Sequence, residues 1–282
     1  MDDSLPHGTY LGIDFSGDAT RWGSRHRRSN VWIATAEAEA EGLRLTDLRR
    51  VQELPGEEPP FLRLCRLLGA GDYRVAAIDA SFSIPDRFAG DRSHGDLLSH
   101  VDALPCRAQR PFPTGETFLA AMAGALQRLD PPKPLRASEA RWQRRGINVR
   151  SGLWNGPRPG APMTAACMKL LAGCRRPLWP WAEGATDGLL AEAFPAAQLA
   201  TWDLPHQGYG SPEQGAARDT ILGGIRPRLA LTSEQEDLLR RDADALDAVL
   251  CLFAAAAVAS GRAPGPDPDA PWHREGWIAV HP

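Results

Sequence analysis

The feature that most constrains this chain lies near its C-terminus, where Asp242-Ala-Asp244-Ala-Leu-Asp247 leads into the apolar run Ala248 to Ala259. A helix apolar on every side must be buried, and this one carries carboxylates to the edge of the core that buries it. Asp244 and Asp247 stand three residues apart, so their side chains share one face of a helix. Beside an apolar body two such charges repel, and one is pushed toward protonation unless water, a cation or a basic side chain sits between them. A bound divalent metal meets that demand most sharply. An acidic first turn that complements the helix dipole is the plainer alternative, and the helix alone leaves both open. The helix is expected to open at the N-cap signal Thr232-Ser233-Glu234, run past the aspartates and finish at Gly261.

With 282 residues, 43% hydrophobic and 24% charged, the chain can bury a sizeable core. A single domain over residues 1–282 is expected. The apolar run is too short to span a bilayer, and the acidic start Met1-Asp-Asp-Ser-Leu-Pro lacks the character of a signal peptide. A soluble, cytoplasmic protein with no membrane partner follows as the expectation. Five cysteines at irregular spacing contain no C-x-x-C, so neither a disulfide framework nor a zinc site is plainly encoded. His94, His100 and Cys106 lack a recognised metal spacing. The net charge of −3 argues against coating nucleic acid by bulk electrostatics. Two local basic clusters stand out all the same: Arg21, Arg25, His26, Arg27 and Arg28, and then Arg141, Arg144, Arg145 and Arg150 beside Trp142 and Trp154. Cations interleaved with aromatics suit a phosphate backbone with unstacked bases; a solvated surface explains them equally well.

Apolar runs rich in strand formers predict strands at Thr9–Phe15, Val31–Ala36, Leu43–Val51, Arg74–Asp79 and Leu189–Phe194. The first three read as an antiparallel meander. Pro59-Pro60 opens a helix that stops at Gly69-Ala-Gly71, and a further helix is expected around Arg218–Gly223. Residues 86–186 read as an insertion of loops with one helix, Thr117–Leu129. The order β-β-β-α-β-α-β-α makes an α/β domain around a mixed five-stranded sheet flanked by helices, with the long insertion after the fourth strand.

Acidic residues sit at the ends of these elements: Asp14 on the first strand, Asp79 on the fourth, Glu192 on the fifth, and Asp244 with Asp247 on the last helix. Adjacent strands lie about 5 Å apart, so carboxylates at matched strand ends can converge on one ion. An oxygen-only donor set selects a hard divalent cation, Mg or Mn, over zinc. Such ions activate water and stabilise the leaving oxygen of a phosphodiester. Ser81 and Ser83 follow Asp79 without any nucleophile motif and read as turn residues. His206 and His273 are candidate general acids that read more simply as surface histidines, and Glu275-Gly276-Trp277 either closes over the site or, the favoured reading, packs the terminal segment.

Gly12-Ile-Asp14-Phe-Ser16-Gly, Val75-Ala-Ala-Ile-Asp79-Ala-Ser81-Phe-Ser-Ile-Pro85, Glu192-Ala-Phe-Pro195-Ala, Asp244-Ala-Leu-Asp247-Ala and Glu275-Gly-Trp-Ile278 together resemble domain-of-unknown-function family 429 over nearly the whole chain. That resemblance implies a ribonuclease-H-like fold and a predicted metal-dependent nuclease acting on DNA or RNA. It implies Asp14, Asp79, Asp244 and Asp247 as metal ligands, with Glu192 completing the catalytic set. Where related resolvases carry glutamate on the fourth strand, this chain has the shorter Asp79. The alternatives are an actin-like ATPase or phosphotransferase, with Asp14-Phe-Ser16-Gly17 cradling phosphate, and a non-catalytic binding protein that keeps the fold.

Overall fold

The computed structural model describes residues 5–24, 30–40, 42–107, 110–124, 132–182 and 184–282. Its strands are β1 (Thr9–Asp14), β2 (Trp32–Glu39), β3 (Gly42–Arg50), β4 (Val75–Asp79), β5 (Leu189–Ala193), β6 (Leu229–Ala230) and β7 (Ile278–Ala279). They form one mixed sheet in the order β6-β3-β2-β1-β4-β5-β7. The first three are the expected antiparallel meander, while β4, β5 and β7 run parallel to β1. Seven strands replace the expected five, because β6 and β7 pair onto the two edges. Each is only two residues long, too short to leave a period in the sequence.

The helices are α1 (Pro60–Ala70), α2 (Asp86–Ala89), α3 (His94–Asp102), α4 (Gly115–Ala123), α5 (Ala137–Arg144), α6 (Ala161–Cys174), α7 (Pro195–Thr201), α8 (Gly215–Ile225), α9 (Ser233–Arg241), α10 (Ala243–Ala259) and α11 (Trp272–Glu275). Between β4 and β5 the chain thus holds five helices among the described residues, not loops and one helix. The expected Thr117–Leu129 helix is α4, which ends at Ala123; residues 125–131 lie outside the described residues. These helices are short and separated by Pro- and Gly-rich links, so a window wide enough to detect a helical period straddles their ends. Side chains define the starts instead: Ser93 and Thr114 cap α3 and α4 by accepting from Asp96 N and Thr117 N.

The two faces of the sheet bury separate cores. Tyr10, Val75, Ala77, Leu189 and Ala191 face α10, whereas Leu11, Ile13, Ile78 and Leu190 face α1 and α6. Period-2 alternation of β1, β4 and β5 assigns these faces, and central strands covered on both sides read as continuous apolar runs. No described helix is long and apolar enough to cross a membrane.

The expected single helix from Thr232 to Gly261 is two helices. Asp242 takes extended angles (φ −124°, ψ 108°), ending α9 and starting α10. Its carboxylate accepts from the backbone N–H groups of Asp244 and Ala245, each at 3.2 Å. An aspartate offers the backbone this alternative to the helical ladder, and hydrophobic periodicity does not register it. The break lets α10 cross β1, β4, β2 and β5 with its body from Ala248 to Ala257 almost wholly buried.

Gly12 sets how closely α10 approaches. A Cβ built there would stand 2.1 Å from the Ala248 carbonyl oxygen and 2.7 Å from the Leu252 nitrogen, both backbone atoms of α10. Gly12→Ala should therefore destabilise the fold by about 1–3 kcal/mol, the usual cost of overpacking. A urea unfolding midpoint checks this; an unchanged midpoint would mean that α10 slides freely on β1.

Candidate functional site

Parallel pairing of β1 with β4 sets Asp14 directly opposite Asp79 at the ends of the two strands. Both share the parity of Tyr10, Gly12, Val75 and Ala77, so both lie on the α10 face of the sheet. Asp242 starts α10 at that same edge, which brings Asp244 and Asp247 of its opening turns to the two strand ends. The four aspartates line one cavity of about 400 Å³. Asn148 and Arg150, from the link after α5, and Gly160, Met163 and Thr164, at the start of α6, form its facing wall.

Asp14 is buried, at 6% exposure. Burial pushes its carboxyl well above the ordinary range, and the charges of Asp247, Asp244, Asp79 and Asp242 push it further. Asp247 is raised strongly too, by burial and by Asp79, with the hydrogen bond from Tyr209 opposing. Asp79 is pushed up to about 7 by burial, with the field of Arg150 lowering it and the charge of Glu192 raising it. Asp244 rises to about 6 through burial and Asp242, with Arg21 and Arg50 opposing. Among the described residues no Lys or Arg forms an ion pair with any of these four; Arg50 pairs with the neighbouring Asp242, at 3.3 Å.

Glu192 lines the same cavity and its charge raises Asp79, but it reaches the cavity from the other pleat of the sheet and is already ion-paired. It shares the parity of Leu190 and faces the opposite side of the sheet from Asp14 and Asp79. There Arg136 grips it with both terminal guanidinium nitrogens, Nη1 at 2.8 Å, and the Phe82 N–H donates to it at 3.0 Å. Arg136 also donates through Nε to Glu139 at 2.9 Å and through Nη1 to the Glu275 carbonyl at 2.8 Å. The Glu275 carboxylate in turn accepts from Asp86 N at 2.7 Å and Ala137 N at 2.5 Å. Arg136, Glu139, Glu192 and Glu275 are all at most 4% exposed. They bolt β5, the segment after β4, and α11 into one frame, and Arg136, Glu139 and Glu192 form part of the cavity lining. The expected packing role of Glu275-Gly276-Trp277 is found here.

Two further contributors left no recognisable motif. Tyr209 donates its hydroxyl to Asp247 Oδ1 at 2.7 Å. Its loop is held by the buried guanidinium of Arg218, which bonds the carbonyls of Tyr209, Ser211 (2.8 Å), Pro212 (3.2 Å) and Arg240 (2.6 Å). Among the described residues Arg218 ion-pairs with no carboxylate, and such a buried arginine looks, in sequence, like any surface arginine of a helix.

The remaining candidates have structural places. Ser81 donates to Glu139 at 3.0 Å and Ser83 to the Arg274 carbonyl at 2.6 Å. His94 stacks on Trp181 with ring centres 3.8 Å apart, and its Nε2 meets the Phe82 carbonyl at 2.9 Å. Burial lowers its pKa to about 4, so the ring is neutral with the proton on Nε2. His100 and Cys106 are exposed. Arg141 and Arg145 cover the buried ring of Trp142 at 5.9 and 5.1 Å, while Lys133 covers Trp154 at 4.7 Å. Only Arg150 of that basic cluster lines the cavity. Arg25, His26, Arg27 and Arg28 lie outside the described residues. Among the described residues no three His, Cys, Asp or Glu side chains are gathered tightly enough to hold an ion as they stand.

The family described as Protein of unknown function (DUF429) matches residues 12–270. The chain belongs to that family. The match runs from the glycine beneath α10, two residues before Asp14, to the link before α11, so every aspartate of this DUF429 cavity lies inside it. No curated protein and no solved structure matches the chain.

Two outcomes follow from this electrostatic division. Asp79 ionises near 7 in the folded protein and near 4 when unfolded, so between these values the folded state binds more protons. Stability in chelator should then fall as pH rises from about 4 to 7. Thermal melts across that range check it, and Asp79→Asn should flatten the decline. On the other face, Arg136→Met leaves buried carboxylates unpaired and should cost about 3–5 kcal/mol; adding Glu192→Gln should restore part of that in a double-mutant cycle.

Proposed function

We propose that this DUF429 protein is a divalent-metal-dependent hydrolase of phosphodiester bonds in nucleic acid, built on a ribonuclease-H-like sheet. The observation that carries the reading is the meeting of Asp14, Asp79, Asp244 and Asp247, from two strands and a helix, around one cavity with no ion-paired cation among the described residues. The order β1-β2-β3-α1-β4, followed by β5 and a terminal helix across β1, fits the ribonuclease-H-like arrangement.

The donor chemistry fits magnesium or manganese. Such ions take hard oxygen ligands, and magnesium commonly uses one or two carboxylates, filling its other positions with water and substrate oxygens. A set that falls short of three gathered protein ligands is compatible with that habit, and the cavity has room for the rest. Asp14, Asp79 and Asp247 are the residues that would hold the ion, with Asp244 at the rim. When bound, it supplies an activated water and charge stabilisation for the leaving oxygen.

The chain's own residues do the remainder. Tyr209 fixes the orientation of Asp247 through its hydroxyl. Arg150, exposed on the facing wall, offers a cation to a substrate phosphate. Glu192 lines the cavity as well, and its pairing with Arg136 holds that wall in place. Because burial and mutual repulsion hold protons on the aspartates, cation binding must displace them and should strengthen as pH rises.

Incubation with DNA, RNA and ATP, with and without Mn, tests the proposal. Oligonucleotide cleavage is expected in Mn and should be lost in Asp14→Asn and Asp79→Asn, both still folded by circular dichroism. Tyr209→Phe should reduce it roughly 10- to 100-fold, as loss of a ligand-orienting hydrogen bond does. Mn should also raise the thermal midpoint of the wild type and not of Asp14→Asn. Turnover of ATP alone would transfer the site to the phosphotransferase reading.

A further inference from the structure

Away from the carboxylates, α1 and α6 carry two thiols that face each other. The Sγ atoms of Cys65 and Cys174 are 3.7 Å apart, and the Cys174 thiol also donates to the Cys65 carbonyl at 3.5 Å. Cys65 is half-buried, whereas Cys174 is buried. The packing makes room for the pair: Gly173 precedes Cys174, and a Cβ at that glycine would come within 2.9 Å of the Cys65 sulfur. Cys174 is the last residue of α6, and Arg175 after it takes left-handed angles (φ 52°). The backbone therefore leaves the helix at the thiol, so Cys174 is not locked inside a continuing turn.

We propose that Cys65 and Cys174 form a disulfide site in which Cys65 is the peroxide-reactive thiol and Cys174 resolves it, tying α1 to α6. From 3.7 Å, the sulfurs need approach by roughly 1.7 Å to reach the ~2.0 Å of a disulfide bond. The hydrogen bonding assigns the roles. Donation by Cys174 draws the Cys65 thiol down to about 7 against burial and the charge of Asp102, and a thiolate is the reactive form. Cys174 is pushed up, first by that same bond and then by burial, so it holds its proton until a partner sulfur is ready.

The oxidant is a hydroperoxide. The Cys65 thiolate attacks its terminal oxygen, the O–O bond breaks, the alkoxide leaves and is protonated to alcohol, and Cys65 becomes a sulfenic acid. Cys174 then attacks the Cys65 sulfur; the S–O bond breaks, and the departing hydroxide takes the Cys174 proton and leaves as water. Two thiols lose two electrons, and the hydroperoxide gains them as alcohol and water. The other buried cysteines are poor competitors: burial pushes the thiols of Cys167 and Cys251 well up, and neither is more than 1% exposed.

Cys106 is exposed, so the test uses the full chain carrying Cys106→Ser. After hydrogen peroxide, non-reducing peptide mapping should recover the Cys65–Cys174 linked peptide, with Cys167 and Cys251 alkylated only after denaturation. The thermal midpoint should rise by a few degrees and return on adding dithiothreitol. With Cys174→Ser added, Cys65 should persist as a sulfenic acid that dimedone traps; with Cys65→Ser, Cys174 should stay reduced under the same treatment. Recovery of both thiols free and alkylatable from peroxide-treated, folded protein overturns the proposal, as does oxidation of Cys174 at an unchanged rate in Cys65→Ser.

Discussion

The carboxylate cavity depends on the contact between α10 and β1. Helix and strand meet backbone to backbone at Gly12, where no other residue leaves room for the Ala248 carbonyl. The alanines from Ala254 to Ala257 keep the later turns of α10 narrow, and all are buried. Helix position thereby becomes a fixed quantity, because a close-packed interior has no slack along which α10 can slide. With Asp242 fixing where the helix begins, Asp244 and Asp247 are held at the end of β1, and parallel pairing has already set Asp79 beside Asp14. Four carboxyls meet because burying the apolar body of one helix brings its acidic mouth to the ends of β1 and β4.

The acidic residues of this edge fall into two electrostatic classes, and the pleat of β5 separates them. Glu192 on one face is saturated by Arg136 and a backbone N–H, an arrangement that makes a buried charge tolerable. Asp14 and Asp79 on the other face have no ion pair among the described residues, and only the more distant charge of Arg150 opposes the rise of Asp79. The first group spends its charge on holding the segments together. The second is raised above the ordinary carboxyl range, first by burial and then by neighbouring acidic charge; shifts of this kind cluster at functional sites. Tyr209 bridges the two styles: its hydroxyl faces Asp247, and its backbone is held by Arg218, which like Arg136 is a buried guanidinium surrounded by acceptors.

Much of this was legible in the chain. The meander, the strands ending in Asp14 and Asp79, the apolar helix and the membership in the DUF429 family all follow from runs and motifs that persist over several residues. What escaped was short or polar. Strands β6 and β7 are two residues each. The break at Asp242 hides inside a continuous helical pattern, because a side-chain cap substitutes for the ladder without changing hydropathy. The helices between β4 and β5 are too brief for a period to build up, and a region read as loops is a wall of the cavity.

The amino-acid sequence by itself determined which residues are acidic, which segments must be buried and which faces of β1, β4 and β5 lie together, since alternation and apolar content are local properties. Only the tertiary structure decided which acids meet. Glu192 stands one pleat position away from Ala191 and Ala193, and that single step puts it in the grip of Arg136 while it still lines the cavity of the aspartates. Partners such as Arg136, Arg150 and Tyr209 come from segments far apart in the chain, and long-range contacts between polar groups leave no period for a sequence to display.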